Sequence, residues 1–416
     1  MTQTTLTADV VAKVALPILE NELGVLNRMY RAYEDEFTNK VNGYKVGDTI
    51  SIRRPADFTV RTGATVALQD VIEGKVTLTI DKQKGIDFQF SQTDLILKMD
   101  DLAERVIRPA MTDLVNDIAN DVLTTMYQGI YNWAGTPGEL INSFSDFYKG
   151  PERLNNMAVP MSDRYAVLSP ADHAALLGSQ TSLFIQDAAR GAYRDASLGM
   201  LGGVDTYMSQ IVPTHTTGSR DDTTPTVNGT NQHVTYDTAK NTWTQSLICA
   251  SFDSSATLKA GDVINIADVY MVNPKTKART AILQDFVVTE DKTASGGAVT
   301  LTISPPIIKS GPHQTVAYAA GVSDIDTKAI TNKGAKDSQF LQNMVAHKNA
   351  MALAFVPMEM PIAAVGGSRR SYKNISVRVI PGYDFVNDIS KWRLDVLYGR
   401  KLIDPRLATR LSGTGA

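Results

Sequence analysis

The sequence predicts an α+β protein: an extended β ribbon feeds a long helical rod, and a strand-rich module interrupts the mixed sequence that follows. Three observations predict it. Between Tyr44 and Phe90 the large apolar residues fall on even-numbered positions; from Leu95 to Met126 they recur at helical spacing; and after a polar, Gly-containing linker at 216–232 the chain reads as short strands separated by turn clusters.

The first element is an amphipathic arm over about 8–37. Val10, Val14 and Ile18, then Leu19, Leu23 and Leu26, recur at helical spacing, while Pro17 and Gly24 interrupt it. It joins no obvious core and is expected to lie on a neighbour.

In the ribbon, Tyr44, Val46, Ile50, Ile52, Phe58, Val60, Val66, Leu68, Ile72, Val76, Leu78, Ile80, Ile86, Phe88 and Phe90 keep to even positions, and Val71 alone breaks the rule. Side chains on a strand alternate faces, so this is a one-sided ribbon with Lys45, Arg53, Arg61, Glu73, Lys75, Asp81 and Asp87 opposite. Two-stranded hairpins are marginal alone, and leaving the apolar face wet forfeits roughly 1.5–3 kcal/mol per large side chain. Another subunit is therefore expected to cover Phe58, Val60, Val66, Leu68, Ile72, Val76 and Leu78. "RTGATV" and "IEGKV" are turn candidates, and Val71 marks a bulge or reversal near "DVIEGK".

Ser91-Gln-Thr-Asp94 is a helix-capping signature. The helix it opens runs to about Trp133, and a rod of that length spans about 60 Å at 1.5 Å per residue. Pro109 should kink or divide it. From 137 to 215 the texture is mixed: helices in "GELINSFSDFYKG" and from Pro170, strands in "RYAVLS" and "VDTYMSQIVP", and a polar stretch "ARGAYRDASLG" between. The linker then opens onto "TQSLICASF", "DVINIADVYMV", "TAILQDFVVTE" and "AVTLTIS", which suggest a small β barrel inserted at a surface loop. A helix from about Asp337 through Leu341, Met344, Val345 and Met351, and strands "NISVRVIPG" and "KWRLDVLYG", complete the chain.

With 41 Lys+Arg against 44 Asp+Glu in 416 residues, the net charge of −3 argues against a dedicated nucleic-acid module. One cysteine, Cys249, excludes an internal disulfide and any CxxC metal site, and reads as a small core residue. There is no signal-like N-terminus and no membrane-length apolar run, so the expectation is a soluble protein made in a cytoplasm, with no membrane partner.

No catalytic constellation emerges. His173, His215, His233, His313 and His347 offer no HExxH pair; His215, His233 and His313 read as loop residues and His347 as a surface residue of a helix. No G-x-S-x-G elbow nominates a serine, Gly74-Lys75 is a turn rather than a phosphate loop, and Asp324-Ile-Asp326 is too sparse for calcium. The expectation is no enzyme, no cofactor and no metal. Ribbon lysines Lys75, Lys82 and Lys84, which in principle could form isopeptide bonds to a neighbour, read as solvated strand lysines.

The order of parts resembles one family: major capsid proteins of tailed bacteriophages with the Hong Kong 97-type fold. "ATLKAGDVINIADVYMVNPKTK", "GGVDTYMSQIVPTH", "MALAFVPMEMP" and "RLDVLYGRKLIDPRLATRLSG" are similar to segments of the branch with an inserted axial-domain barrel, the coat protein of short-tailed Salmonella-type phages. The resemblance implies an N-terminal arm at 1–40, an extended β loop at 41–91 and a spine helix at 92–136. A peripheral domain with the start of the axial domain then takes 137–215, the inserted barrel 216–320, and the axial domain with C-terminal β segments 321–416. The charged barrel loop that pairs subunits in that branch has no counterpart beyond Asp237 near "TYDTAKN".

The resemblance further implies self-assembly as hexamers and pentamers of a closed icosahedral shell in the virion, put together in the host bacterial cytoplasm. Its partners would be a scaffolding protein, a portal, a decoration protein and packaged double-stranded DNA as non-specific cargo. Glu20 and Glu22 are the candidates for a basic scaffold helix. Rival readings are a non-viral nanocompartment shell of the same fold, or a multidomain hydrolase with a β binding module.

Overall fold

The structure, a computed structural model, describes residues 7–37, 44–61, 63–64, 66, 68–91, 103–180, 198–220, 224–362, 366–387 and 389–415. Chain contacts divide it into two compact units. One comprises Met1–Ser51, Thr77–Val122 and Met351–Lys401; the other comprises Ile52–Val76, Leu123–Ala350 and Leu402–Ala416.

The first unit is built on one long strand, Ile389–Leu402. Lys82–Ser91 runs antiparallel to it from Tyr398↔Lys82 to Ile389↔Ser91, Ile375–Asp384 pairs with its first half, and Met351–Val356 and Ser368–Tyr372 complete a five-stranded sheet. The arm helix Ala8–Glu22 starts where the Thr7 side chain accepts a hydrogen bond from Val10 N. Its buried stripe is Ala8, Val11, Ala12, Ala15, Leu16 and Leu19, continuing to Leu23 and Leu26, and it packs on Ser368–Tyr372 and Ile375–Asp384. This corrects the expectation that the arm lacks a core of its own. Small alanines let the helix lie close to the sheet, and an alanine-based stripe is easily missed beside Val10, Val14 and Ile18, which are half-buried.

At the end of the arm, Arg31 grips Glu34 with two hydrogen bonds of 2.8 and 3.1 Å, and Phe355 N donates to Glu34 Oε1 at 3.1 Å. Burial lifts the Glu34 carboxyl to about 7, against the pull of Arg31. A carboxyl with a raised folded-state pKa adds stability that is full below its unfolded value, near 4.5, and is lost as pH rises through about 7. Glu34→Gln should therefore flatten the pH dependence of unfolding of the unassembled chain between pH 5 and 8, by on the order of 3 kcal/mol. Denaturant melts at the two pH values check this, and an unchanged pH dependence in the variant rejects it.

Among the described residues, the expected long helix is a π-helical turn, Ala103–Ile107, followed by the α-helix Arg108–Gly129. The expected break thus falls at Pro109, in the first turn of the α-helix, where a missing N–H costs nothing. Residues 92–102, including most of the capping signature, lie outside the described residues. The helix ends at Gly129 rather than near Trp133, and the glycine passes so close to Leu402 that a Cβ there would meet its Cδ2 at 2.5 Å.

The second unit holds a six-stranded sheet in the order Trp133–Ala134, Ala408–Leu411, Asn343–His347, Arg164–Leu168, Val204–Met208, Met200–Leu201. Helix Phe144–Asn156 starts later than expected, at the Ser143 cap, and helix Pro170–Gln180 starts as expected. Tyr131, Trp133, Phe147, Leu154, Leu168, Val345 and Leu411 form its core. Most of "ARGAYRDASLG" lies outside the described residues. The helix expected from Asp337 is instead the strands Gln339–Leu341, Asn343–His347 and Met351–Val356. Asn343–His347 and Met351–Val356 are buried at every position, and a strand covered on both faces has no period-two signature to set it apart from a helix.

The inserted module is a closed barrel. Val263–Val272, Arg279–Val288, Val299–Ser304, Gln245–Ala250 and Thr226–Val227 pair in that order. A bridge from Thr226 to Ala329 leads into Ile330–Asn332, which pairs back on Val263–Val272. Closure removes the sheet edges. Leu247, Leu258, Ile264, Phe286, Leu301, Ile303 and Ile330 fill the interior. The chain enters and leaves the insert side by side, where Thr214–Thr216 pairs with Gln339–Leu341 and Thr217 N donates to Ser338 O at 3.0 Å. A folded module can be spliced into a domain at such a point.

Candidate functional site

The feature that calls for a partner is the ribbon. Arg54 N donates to Gly74 O at 2.8 Å, Arg53 pairs with Glu73 at 3.1 Å, and Thr59 and Gln69 exchange hydrogen bonds through the glutamine amide at 2.8 and 2.6 Å. The chain therefore reverses between Thr59 and Gln69, at "RTGATV". The reversal expected near Val71 is not there: Val71 sits on the returning limb, and "IEGKV" runs straight into the strand Lys75–Thr79.

The even-numbered stripe divides along its length. Ile52, Val76, Leu78 and Ile80 are buried within the chain and Ile72 is half-buried, whereas Phe58, Val60, Val66 and Leu68 are 58, 93, 70 and 94 % exposed. Four large apolar side chains of the loop beyond the paired strands Thr49–Arg53 and Lys75–Thr79 stay largely uncovered by their own chain. Of the seven residues expected to meet a neighbour, these four have an open face; Val76 and Leu78 do not.

The acidic candidates on the arm are placed differently. Glu20 pairs with Lys373 at 2.7 Å, and Asp9, about three turns earlier on the same face of the helix, is held by Arg370 and Ser368. Nothing is described for the Glu22 side chain. Of the ribbon lysines, Lys84 pairs with Asp117 at 2.6 Å and Lys82 with Asp81 at 3.7 Å.

His215, His347 and Cys249 are all buried. His215 lies in a strand, not a loop, with Nε2 2.9 Å from Asp262 Oδ1 and Nδ1 3.4 Å from the Tyr127 hydroxyl, all buried. His347 is a buried strand residue and not a surface one, and burial pushes its imidazole pKa down. Cys249 lines the barrel interior, where burial pushes its thiol up to about 12. Among the described residues no cluster of His, Cys, Asp or Glu is placed to hold a metal ion, and no helix is long and apolar enough to cross a membrane.

An interrupted α+β subunit with an unsatisfied apolar ribbon has the makings of a shell-building protein. The sequence matches the P22 coat protein family (P22 coat protein, gene protein 5) over residues 11–413, and the chain belongs to that family. It is a major capsid protein of a tailed bacteriophage: it self-assembles into the icosahedral shell of the virion, has the Hong Kong 97-type fold, and is structural rather than enzymatic. Neither the nanocompartment nor the hydrolase reading finds support.

Similar solved structures include that of Mycobacterium phage Che8, at 14 % identity and a TM-score of 0.49, covering 94 % of this chain and 91 % of that one. The capsid of Cyanophage P-SCSP1u has 11 % identity and a TM-score of 0.43, covering 95 % and 98 %. The mature capsid of bacteriophage PhiM1 has 11 % identity and a TM-score of 0.41, covering 88 % and 82 %. No curated protein sequence matches this chain.

Proposed function

We propose that the ribbon tip, through Phe58, Val60, Val66 and Leu68, is the contact by which each coat subunit clasps the next in the shell. The observation that carries this is the near-complete exposure of Val60 and Leu68 beside the burial of Val76 and Leu78 on the same stripe. Covering four such side chains is worth roughly 1.5–3 kcal/mol each, and repetition around a closed lattice turns modest contacts into a stable shell.

Within this reading the arm, ribbon, spine, peripheral and axial parts fall as the resemblance implies, and assembly takes place in the host cytoplasm as hexamers and pentamers. A scaffolding protein with a basic helical end docks at Glu20 in competition with Lys373; a portal occupies one vertex, a decoration protein binds the outer face, and double-stranded DNA is held without specific grip. The near-neutral charge of the chain supports the last point.

A single-cysteine probe tests the clasp. Cys249 is buried and its thiol protonated, so Leu68→Cys introduces the one reactive thiol. The expected result is rapid labelling by a maleimide in the unassembled chain and at least tenfold slower labelling in closed shells. Equal rates in the two states reject the ribbon tip as an interface.

A further inference from the structure

The ribbon is rooted in the inserted barrel. On its outgoing limb the Arg54 guanidinium lies over the Trp243 ring at 5.2 Å and Nη2 donates to Ile403 O at 3.0 Å, while Arg406 lies over the same ring at 5.6 Å. Asp57 follows, with Arg406 at 3.5 Å, His313 at 3.6 Å and Lys275 at 4.0 Å. On the returning limb Ile72 packs on a small core of Tyr236, Trp243, Ile308 and Val234, and Lys75 N donates to Asn241 Oδ1 at 3.1 Å. Gly74 passes so close that a Cβ would run into the Lys240 carbonyl and the Tyr236 hydroxyl. His313 stacks on Tyr236 with centroids 3.5 Å apart.

This joint is separate from the barrel's own core, which contains none of Tyr236, Trp243 or Ile308. It also holds strain. Trp243 adopts φ +59°, a left-handed conformation that is an outlier for a bulky residue and costs of order 1–3 kcal/mol. Such a conformation persists only where its surroundings over-determine it, and here they are the hydrogen bond from Trp243 N to Ala239 O at 2.8 Å, the Tyr236 ring, Arg54, Arg406 and Ile72.

We propose that Trp243, Tyr236 and Asp57 are positioning residues for assembly: the inserted barrel sets the direction in which the ribbon leaves the subunit. The inference rests on the ribbon being the clasp. Its reason is leverage. The six-residue step from Asp57 to Gly63 can reach about 20 Å at roughly 3.3 Å per residue, so a tilt of about 15° at the root carries the tip about 5 Å. That exceeds the 4.0–4.5 Å range over which apolar side chains are in contact. A free two-stranded ribbon would not hold such an angle.

Hydrogen exchange on the unassembled full-length chain reads the joint without reference to assembly. In Trp243→Ala, amides within 52–76, Arg54 and Lys75 among them, should exchange at least tenfold faster, while those of Val263–Val272 in the barrel stay protected. Asp57→Asn, a change on the ribbon itself, should give a smaller acceleration confined to the same segment, and Asp57→Glu should restore protection. If Trp243→Ala also exposes the barrel strands, Asp57→Asn decides. Unchanged exchange over 52–76 overturns the joint. Faster exchange with wild-type yields of uniform shells by electron microscopy overturns its role in assembly; malformed or mixed-diameter shells are the expected outcome. The Leu68→Cys labelling separates this from failure of the clasp, because it reports the tip alone.

Discussion

Val60→Asp and Leu68→Asp should each leave a folded, soluble subunit that no longer closes into shells. Both side chains are more than nine-tenths exposed and touch no core, so replacement should alter the stability of the unassembled chain by no more than about 0.5 kcal/mol. In the shell the same positions are proposed to be covered. A carboxylate there must be desolvated without a partner, which costs several kcal/mol at each contact, and every subunit carries the penalty. Because closure depends on many contacts acting together, a per-contact loss of that size should reduce shells by orders of magnitude rather than by a fraction.

Val71→Asp is the matched control. Val71 is 65 % exposed on the same ribbon but lies at an odd-numbered position, out of step with the stripe, so its replacement should leave assembly close to wild type. Circular dichroism melts give the first half of the expectation, and sedimentation with electron microscopy the second. Uniform closed shells from Leu68→Asp at normal yield would remove the ribbon from the assembly mechanism. Loss of shells in all three variants would point to general repulsion and away from a directed apolar contact. Deleting the turn around Gly63 should behave like the two stripe variants.

The ribbon was legible because its chemistry is local: alternation along one strand needs no knowledge of what lies opposite, and the family resemblance rested on the order of such local textures. The barrel was legible for the same reason, as short runs separated by turns. What escaped was decided by partners far away in sequence. Asn343–His347 looks like a helix until Arg164–Leu168 and Ala408–Leu411 are placed on its two edges. His215 looks like a loop residue and His347 like a surface one until the strands that bury them are known.

The ribbon joint is the extreme case. Lys75 and Asn241 are 166 residues apart, Arg54 and Ile403 are 349 apart, and the guanidinium groups of Arg54 and Arg406 meet over the Trp243 ring from opposite ends of the chain. The one available signal was the pair Tyr236 and Trp243 set in an otherwise polar "TYDTAKNTW", aromatic residues where a plain linker would have none. Val71 was misread for a related reason. A single residue out of phase says that a ribbon changes something, but not whether it bends, bulges or simply exposes its other face.

Asp262→Ala should be the most destabilising single change outside the cores, at about 3–5 kcal/mol, and it should act at the splice between barrel and six-stranded sheet. Asp262 opens the strand Val263–Val272 and is fully buried. It faces His215 at 2.9 Å and Arg220, both from the segment that leads into the insert, and accepts from Lys259 N at 2.8 Å and Gly218 N at 3.3 Å. Beside it, Arg410 donates to Gly261 O at 2.7 Å and Tyr127 O at 2.6 Å, tying the same turn to the C-terminal strand. Removing the carboxylate leaves a buried guanidinium and two backbone N–H groups without their acceptor, which is why the loss exceeds that of an ordinary hydrogen bond. Burial by itself would raise the Asp262 carboxyl, but the hydrogen bond from His215 and the charge of Arg220 outweigh it and hold the group below the usual carboxylate range. The sign of the pH effect follows. A lowered folded-state pKa gives stability that is complete above the unfolded value, near 3.9, and that drains away as pH falls through the lowered one. Wild-type protein should therefore lose the splice below about pH 4, whereas Asp262→Asn, already lacking the charge, should be weaker at neutral pH and show a flatter acid limb. Urea melts from pH 3 to pH 7 decide it. Parallel acid limbs in the two proteins would mean that some other carboxylate carries the acid sensitivity, and that the insert is held to its host by packing alone.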